Sequence, residues 1–224
     1  YNTALGYNAL FSNTSASYNT AVGYESLGNN TTGEDNTAFG YRAGRGNTTG
    51  NFNTAIGIET LLVSQTANRN TAVGYQAMAS NTTGSDNNAF GFCSLCANTT
   101  GNYNVALGGN ALYSNTTGDS NVGMGYKPLY SNTSGSYNTA LGYEALFFNT
   151  TGAYNFAAGL QALVYNTTGN HNQASGAEAL YSNTTGSYNS ANGTEALRAN
   201  TTGSYNAAIG FRALDANTTG EANM

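Results

Sequence analysis

The chain has 224 residues and a net charge of −5, and its composition departs from that of an ordinary globular domain: 8% of residues are charged, with 29 Gly, 17 Tyr, one Pro and no Trp. One Lys and five Arg argue against a nucleic-acid binder, which needs clustered cations to track phosphates, and no apolar run approaches the roughly 18 residues of a membrane span. Disorder is a poor description as well, because 39% apolar residues at regular intervals with little charge is unlike the low-hydrophobicity, high-charge signature of unfolded chains.

Self-similarity carries the information. An Asn preceding an Ala-x-Gly pattern recurs at Asn2, Asn19, Asn36, Asn53, Asn70, Asn87, Asn104, Asn121, Asn138, Asn155, Asn172, Asn189, Asn206 and Asn223, always 17 residues apart. With Tyr1 as place one, residues 1–224 read as a single array of thirteen 17-residue repeats without insertion or deletion. Neither a signal peptide nor an initiator Met opens the chain and both ends fall inside a repeat. The expectation is therefore a segment of a longer chain, with export signal and caps elsewhere.

Places two to six, as in Asn138-Thr139-Ala140-Leu141-Gly142, predict a short strand. Alternation sends Asn, Ala and Gly to one face and Thr and Leu to the other. The first face is small and nearly invariant: Asn at place two throughout, Gly at place six in all thirteen repeats, Ala at place four except Gly123. Stacked Asn amides can hydrogen-bond along such a column. The second face runs from Leu5, Val22 and Phe39 to Ala158, Ser175 and Asn192, which predicts exposure to solvent or an interface. Places eight to twelve, as in Glu144-Ala145-Leu146-Phe147-Phe148, predict one helical turn, with Glu25, Glu59, Glu144, Glu178 and Glu195 at its start and Pro128 in its first positions. An all-strand coil is the alternative. Leu fills place ten except at Gly44 and Met78. Asn-Thr-Thr-Gly at places thirteen to sixteen predicts a type I turn, replaced once by Ser64-Gln65-Thr66-Ala67. Units this small cannot bury a core alone and must stack. The fold class is mainly β, a β-solenoid or β-roll; at roughly 4.8 Å per coil the array would extend about 60 Å.

The run NTALGYEALFFNTTGAYN resembles the tandem repeats of phage-type tail-fibre proteins and bacterial surface proteins with tail-fibre domains. It is similar, more distantly, to the Asn-Ser-x-Ala-x-Gly repeats in trimeric autotransporter adhesin heads. The resemblance covers the whole chain and implies an intertwined homotrimer, extracellular, in a virion fibre or cell-surface filament that holds a receptor-binding tip at a distance. The period of 17 departs from the adhesin head's shorter unit, and no neck, coiled coil, membrane anchor or self-cleaving chaperone domain is present in the sequence.

Candidate chemistry is sparse, and no catalytic constellation, metal-ligand cluster or cofactor motif is recognised. Cys93 and Cys96 form Cys-Ser-Leu-Cys, read as a local disulfide or two free thiols rather than half a zinc site, since His171 lies more than four repeats away. Glu178 and Glu195 share a place in adjacent repeats, a spacing near that of retaining glycosidases, with an exposed acidic edge as the simpler account. Tyr columns at places one and seven suit packing more than sugar stacking. The turn generates sequons at Asn13, Asn30, Asn47, Asn81, Asn98, Asn115, Asn132, Asn149, Asn166, Asn183, Asn200 and Asn217, with Asn29 and Asn192 out of register. These are candidate glycan acceptors on expected surface turns. Threonine rows suggest an ice-binding face, but Val105, Phe156 and Gln173 interrupt the row that begins at Thr3. The function expected is a structural shaft that spaces and attaches, self-associating as a homotrimer or filament, with no enzymatic activity, no nucleic-acid partner and no membrane insertion in this segment. A glycan-coated or carbohydrate-binding filament is the alternative.

Overall fold

The structure, a computed structural model, describes residues 1–223. Its contacts fall into two units, Tyr1–Thr117 and Gly118–Met224. The first holds β1 (Thr3–Leu5), β2 (Thr20–Val22), β3 (Thr37–Phe39), β4 (Thr54–Ile56), β5 (Thr71–Val73), β6 (Asn88–Phe90) and β7 (Val105–Leu107). The second holds β8 (Val122–Met124), β9 (Thr139–Leu141), β10 (Phe156–Ala158), β11 (Gln173–Ser175), β12 (Ser190–Asn192) and β13 (Ala207–Ile209). Within each unit every strand pairs in parallel with the next, place against place: Ala38 lies opposite Ala55, and Ala157 opposite Ala174. The chain is thus a β-solenoid with a 17-residue coil.

The strand face divides as alternation dictates. Ala21, Ala38, Ala72 and Ala140 at place four are buried, while place five is half-buried to exposed. Place six is Gly for two reasons that coincide at Gly40. Its φ is +134°, and a Cβ there would fall on the carbonyl oxygen of Gly57 in the next coil. A side chain at this place is excluded by conformation and by the spacing of the stack.

Places eight to twelve do not form the expected helical turn; no helix occurs among the described residues. Places eight and ten instead sit in the left-handed region, for example Glu25 at φ 52° and Leu27 at φ 48°. The backbone makes linked turns, with Gly28 N–H donating to Glu25 O (3.1 Å) and Asn30 N–H to Leu27 O (3.0 Å). The intervening amides point along the stack: Glu25 N–H donates to Tyr7 O (2.8 Å) and Leu27 N–H to Ala43 O (3.0 Å). An α-helical turn would begin to spend these amides internally, whereas alternating turns keep every second one for the neighbouring coil. Pro128 fits this geometry. It follows the positive-φ Lys127 and precedes the positive-φ Leu129, so it takes the position of a turn where its fixed φ is favoured.

The left-handed residue at place ten carries the core. Leu27, Leu61, Leu112, Leu146, Leu180 and Leu197 are buried, beside Ala43, Ala77, Ala145 and Ala196 at place nine. Holding a Leu at positive φ costs about 1–2 kcal/mol, and burying its side chain returns roughly 1.5–3 kcal/mol. The chain reverses again at places thirteen to sixteen, held chiefly by a side chain. Asn30 Nδ2 donates to Gly33 O (2.9 Å), while Thr31 N–H and Thr32 N–H both turn to Thr48 O of the next coil (2.9 and 3.2 Å).

Candidate functional site

The stacking of strands brings identical places into columns, and the candidate surfaces are these columns. Two run inside. At place two, the N–H of each Asn donates to the Oδ1 of the Asn one coil earlier, from Asn2 through Asn104 in the first unit and from Asn121 through Asn223 in the second. The amide nitrogen spans the coil interior, as from Asn36 Nδ2 to Gly50 O (2.8 Å) and from Asn138 Nδ2 to Gly152 O (2.8 Å). Each side chain of this column therefore ties strand, turn and neighbouring coil together.

The second inner column is place thirteen, and it overturns the surface-turn expectation for the sequons. Asn30, Asn47, Asn81, Asn98, Asn115, Asn132, Asn149, Asn166, Asn183 and Asn200 are at most 2% exposed; only Asn13 and Asn217 are half-buried. Their amide nitrogens are committed. Asn98 Nδ2 donates to Asn81 Oδ1 (2.8 Å) and Gly101 O (3.0 Å); Asn149 Nδ2 does so to Asn132 Oδ1 (2.7 Å) and Gly152 O (2.9 Å). A sugar on such a nitrogen would displace the column. The out-of-register Asn29 and Asn192 are exposed. The signal that sequence reasoning passed over was constancy: turn chemistry alone accepts Asp or Ser, yet place thirteen is Asn in twelve of thirteen repeats.

Its one break is informative. Ser64 has no amide to donate, and Asn47 Oδ1 and Ser64 Oγ are buried without a hydrogen-bond partner. Gly44 removes the place-ten Leu nearby. The two departures meet at a cavity of about 10 Å³ lined by Leu27, Gly44, Asn47, Asn53, Leu61 and Ser64 among others.

Cys93 is buried, Cys96 half-buried, and both are free thiols, the second of the two readings drawn from their spacing. Burial, reinforced by the neighbouring Cys93, pushes the Cys96 thiol up to about 12. Glu178 and Glu195 occupy one column as expected, but each is held by an arginine: Arg198 Nε lies 2.7 Å from Glu178 and Arg212 Nε 2.6 Å from Glu195. Similar pairs link Glu25 to Arg42 and Arg45 (3.1 and 2.8 Å). Arg69 binds Asp86 through two hydrogen bonds (2.7 and 2.8 Å), and these hold the Asp86 carboxyl below its ordinary range. Among the described residues no three His, Cys, Asp or Glu gather as a metal site, and no helix is long and apolar enough to cross a membrane.

The outer columns are aromatic and apolar. At place one, Tyr137, Tyr154, His171, Tyr188 and Tyr205 stack in sequence with centroids 4.8–5.0 Å apart and planes within 9°. Both faces of an internal ring such as Tyr154 are covered by its neighbours, so what it presents outward is its edge. Place seven repeats the pattern in Tyr7, Tyr24 and Tyr41 (5.2 and 5.3 Å). In the first unit place five adds Phe39, Ile56 and Phe90, each 40–42% exposed.

No protein-family model, no curated protein and no solved structure matches the chain.

Proposed function

We propose that the chain is a structural segment of an extracellular fibre or adhesin, in a virion tail fibre or a bacterial surface filament, and that its work is mechanical spacing and attachment through self-association, as a homotrimer. The observation that carries this reading is the unbroken 17-residue register within each unit, in which every coil is hydrogen-bonded to the next by backbone and by inward Asn columns. Such construction spends its polar side chains on stiffness. Its five arginines are engaged in ion pairs along the edge rather than gathered in a cleft. The resemblance to tail-fibre and adhesin repeats supports the location and the chain number.

Electron microscopy tests the shaft directly. Excising residues 137–153 should shorten the particle by about 4.8 Å, one strand spacing, at constant width; an irregular or compact particle of unchanged length would refute it. The native mass, read against one 23.1 kDa chain, tests the trimer: three chains support it, and one sinks it. The carbohydrate reading has less support, because the stacked rings cover the faces a sugar would use and the place-thirteen amides are buried. Exposed Asn29 and Asn192, with the half-buried Asn13 and Asn217, are what remain open to an N-linked coat. Peptide mapping that finds hexose mass on either would favour that reading.

A further inference from the structure

Places five and seven of the first unit form one continuous apolar surface. They are two residues apart, so at most about 7 Å separates the columns along the chain, and between residues 1 and 117 neither place holds a charged or amide side chain. Ten of these side chains are 40–68% exposed, among them Tyr24, Phe39, Tyr41, Ile56, Phe90 and Phe92. At about 200 Å² for a large side chain they leave on the order of 900 Å² of apolar surface open, more than the roughly 300–600 Å² of the largest patch on a typical monomer. In the second unit the same places keep exposed Met124, Tyr126, Tyr143 and Leu160, then carry Ser175 and Asn192, and Ala177 and Thr194, before Ile209 and Phe211. The apolar run is interrupted there, so its continuity in the first unit is no automatic product of the repeat.

We propose that this face of residues 1–117 is where a second copy of the chain docks. Three observations select that occupant. Its area matches the about 800 Å² per partner of a stable protein interface. The two columns carry no charged side chain of their own, and the Arg42 beside Tyr41 is paired with Glu25, so copies meet there without strong like-charge repulsion. Ridges one strand spacing apart, about 4.8 Å, find the same spacing on another copy, whereas a globular partner has no such period. The proposal names the surface of the self-association put forward above and rests on that reading; its test separates the two.

The test compares the native mass of the 224-residue chain with that of the double variant Phe39→Glu, Phe90→Glu and of Ser175→Glu, which places the same charge at the same place in the second unit. Circular dichroism reports that each has folded, and Phe39→Ser with Phe90→Ser serves if the charged pair does not. The expected result is an assembly for the parent and Ser175→Glu, and a single 23.1 kDa chain for the double variant, with affinity weakened on the order of 100-fold. A folded double variant that assembles like the parent overturns the docking face and leaves self-association standing. A monomeric parent overturns both. Should that monomer sediment with phosphatidylcholine vesicles, the face belongs to a lipid surface instead.

Discussion

Asn138 shows how much a single side chain holds in this chain. Its N–H and Nδ2 reach Asn121 Oδ1, its Nδ2 reaches Gly152 O, and its Oδ1 accepts from Asn155 N–H. Asn138→Ala leaves several of these groups buried and unpaired, at about 1–3 kcal/mol each before relaxation. Urea unfolding should register a loss of about 3 kcal/mol, against little change for the half-buried Thr139→Ala. Ser64→Asn runs the other way. It supplies the amide that Asn47 Oδ1 lacks, and thermal unfolding should show a gain of about 1–2 kcal/mol; an unchanged or lower midpoint would mean that the cavity beside Gly44 does not admit the side chain. Cys96 gives a chemical readout. Its thiol is pushed up to about 12 by burial, so the folded chain keeps it protonated at pH 8 while the unfolded chain, near 8.5, begins to ionise. Iodoacetamide should label Cys96 far more slowly in the folded state than in urea. The associated stability is complete below the unfolded value and falls as pH rises toward the folded one.

At the scale of the element, the coil was partly legible. Strand places two to six follow from alternation of small and larger residues: Asn and Ala are buried as packed places, while Gly, as at Gly40, is half-buried and meets the backbone of the next coil. The segment from place eight to place twelve was not. Its letters are good helix formers, and nothing in Glu144 or Leu146 announces φ values of 53° and 54°, since left-handed residues are expected to be Gly, Asn or Asp. The stacked neighbour decides, because alternate amides must point along the array. Gly91 tests the strand end. Its φ is +130° and a Cβ would stand 2.7 Å from the carbonyl carbon of Gly108, so Gly91→Ala should destabilise by about 3 kcal/mol or more. A change below 1 kcal/mol would show that neighbouring coils slide apart easily.

For the whole molecule, register is the quantity conserved from coil to coil. Removing residues 137–153, a complete repeat, preserves every column and should leave a cooperatively folded chain with a modestly lower midpoint. Inserting one Gly between Gly152 and Ala153 breaks the match between a coil and its neighbours, because a one-residue slip exchanges inner and outer side chains. That variant should lose far more stability than the seventeen-residue deletion. Comparable melting curves for the two would contradict a stack held in register.

By itself the sequence determined the 17-residue period, the β class and the packed places of Asn19 and Ala21 and their equivalents, because these depend on repetition and on alternation within one short strand. The tertiary structure alone decided that Leu27 and its equivalents adopt positive φ, that Asn30, Asn98 and Asn149 face inward from their turns, and that Cys93 and Cys96 are two thiols. One coil of seventeen residues has no interior of its own. Inside and outside exist only once neighbouring coils close over it, and the conformations that look unfavourable in isolation are those the closed stack requires.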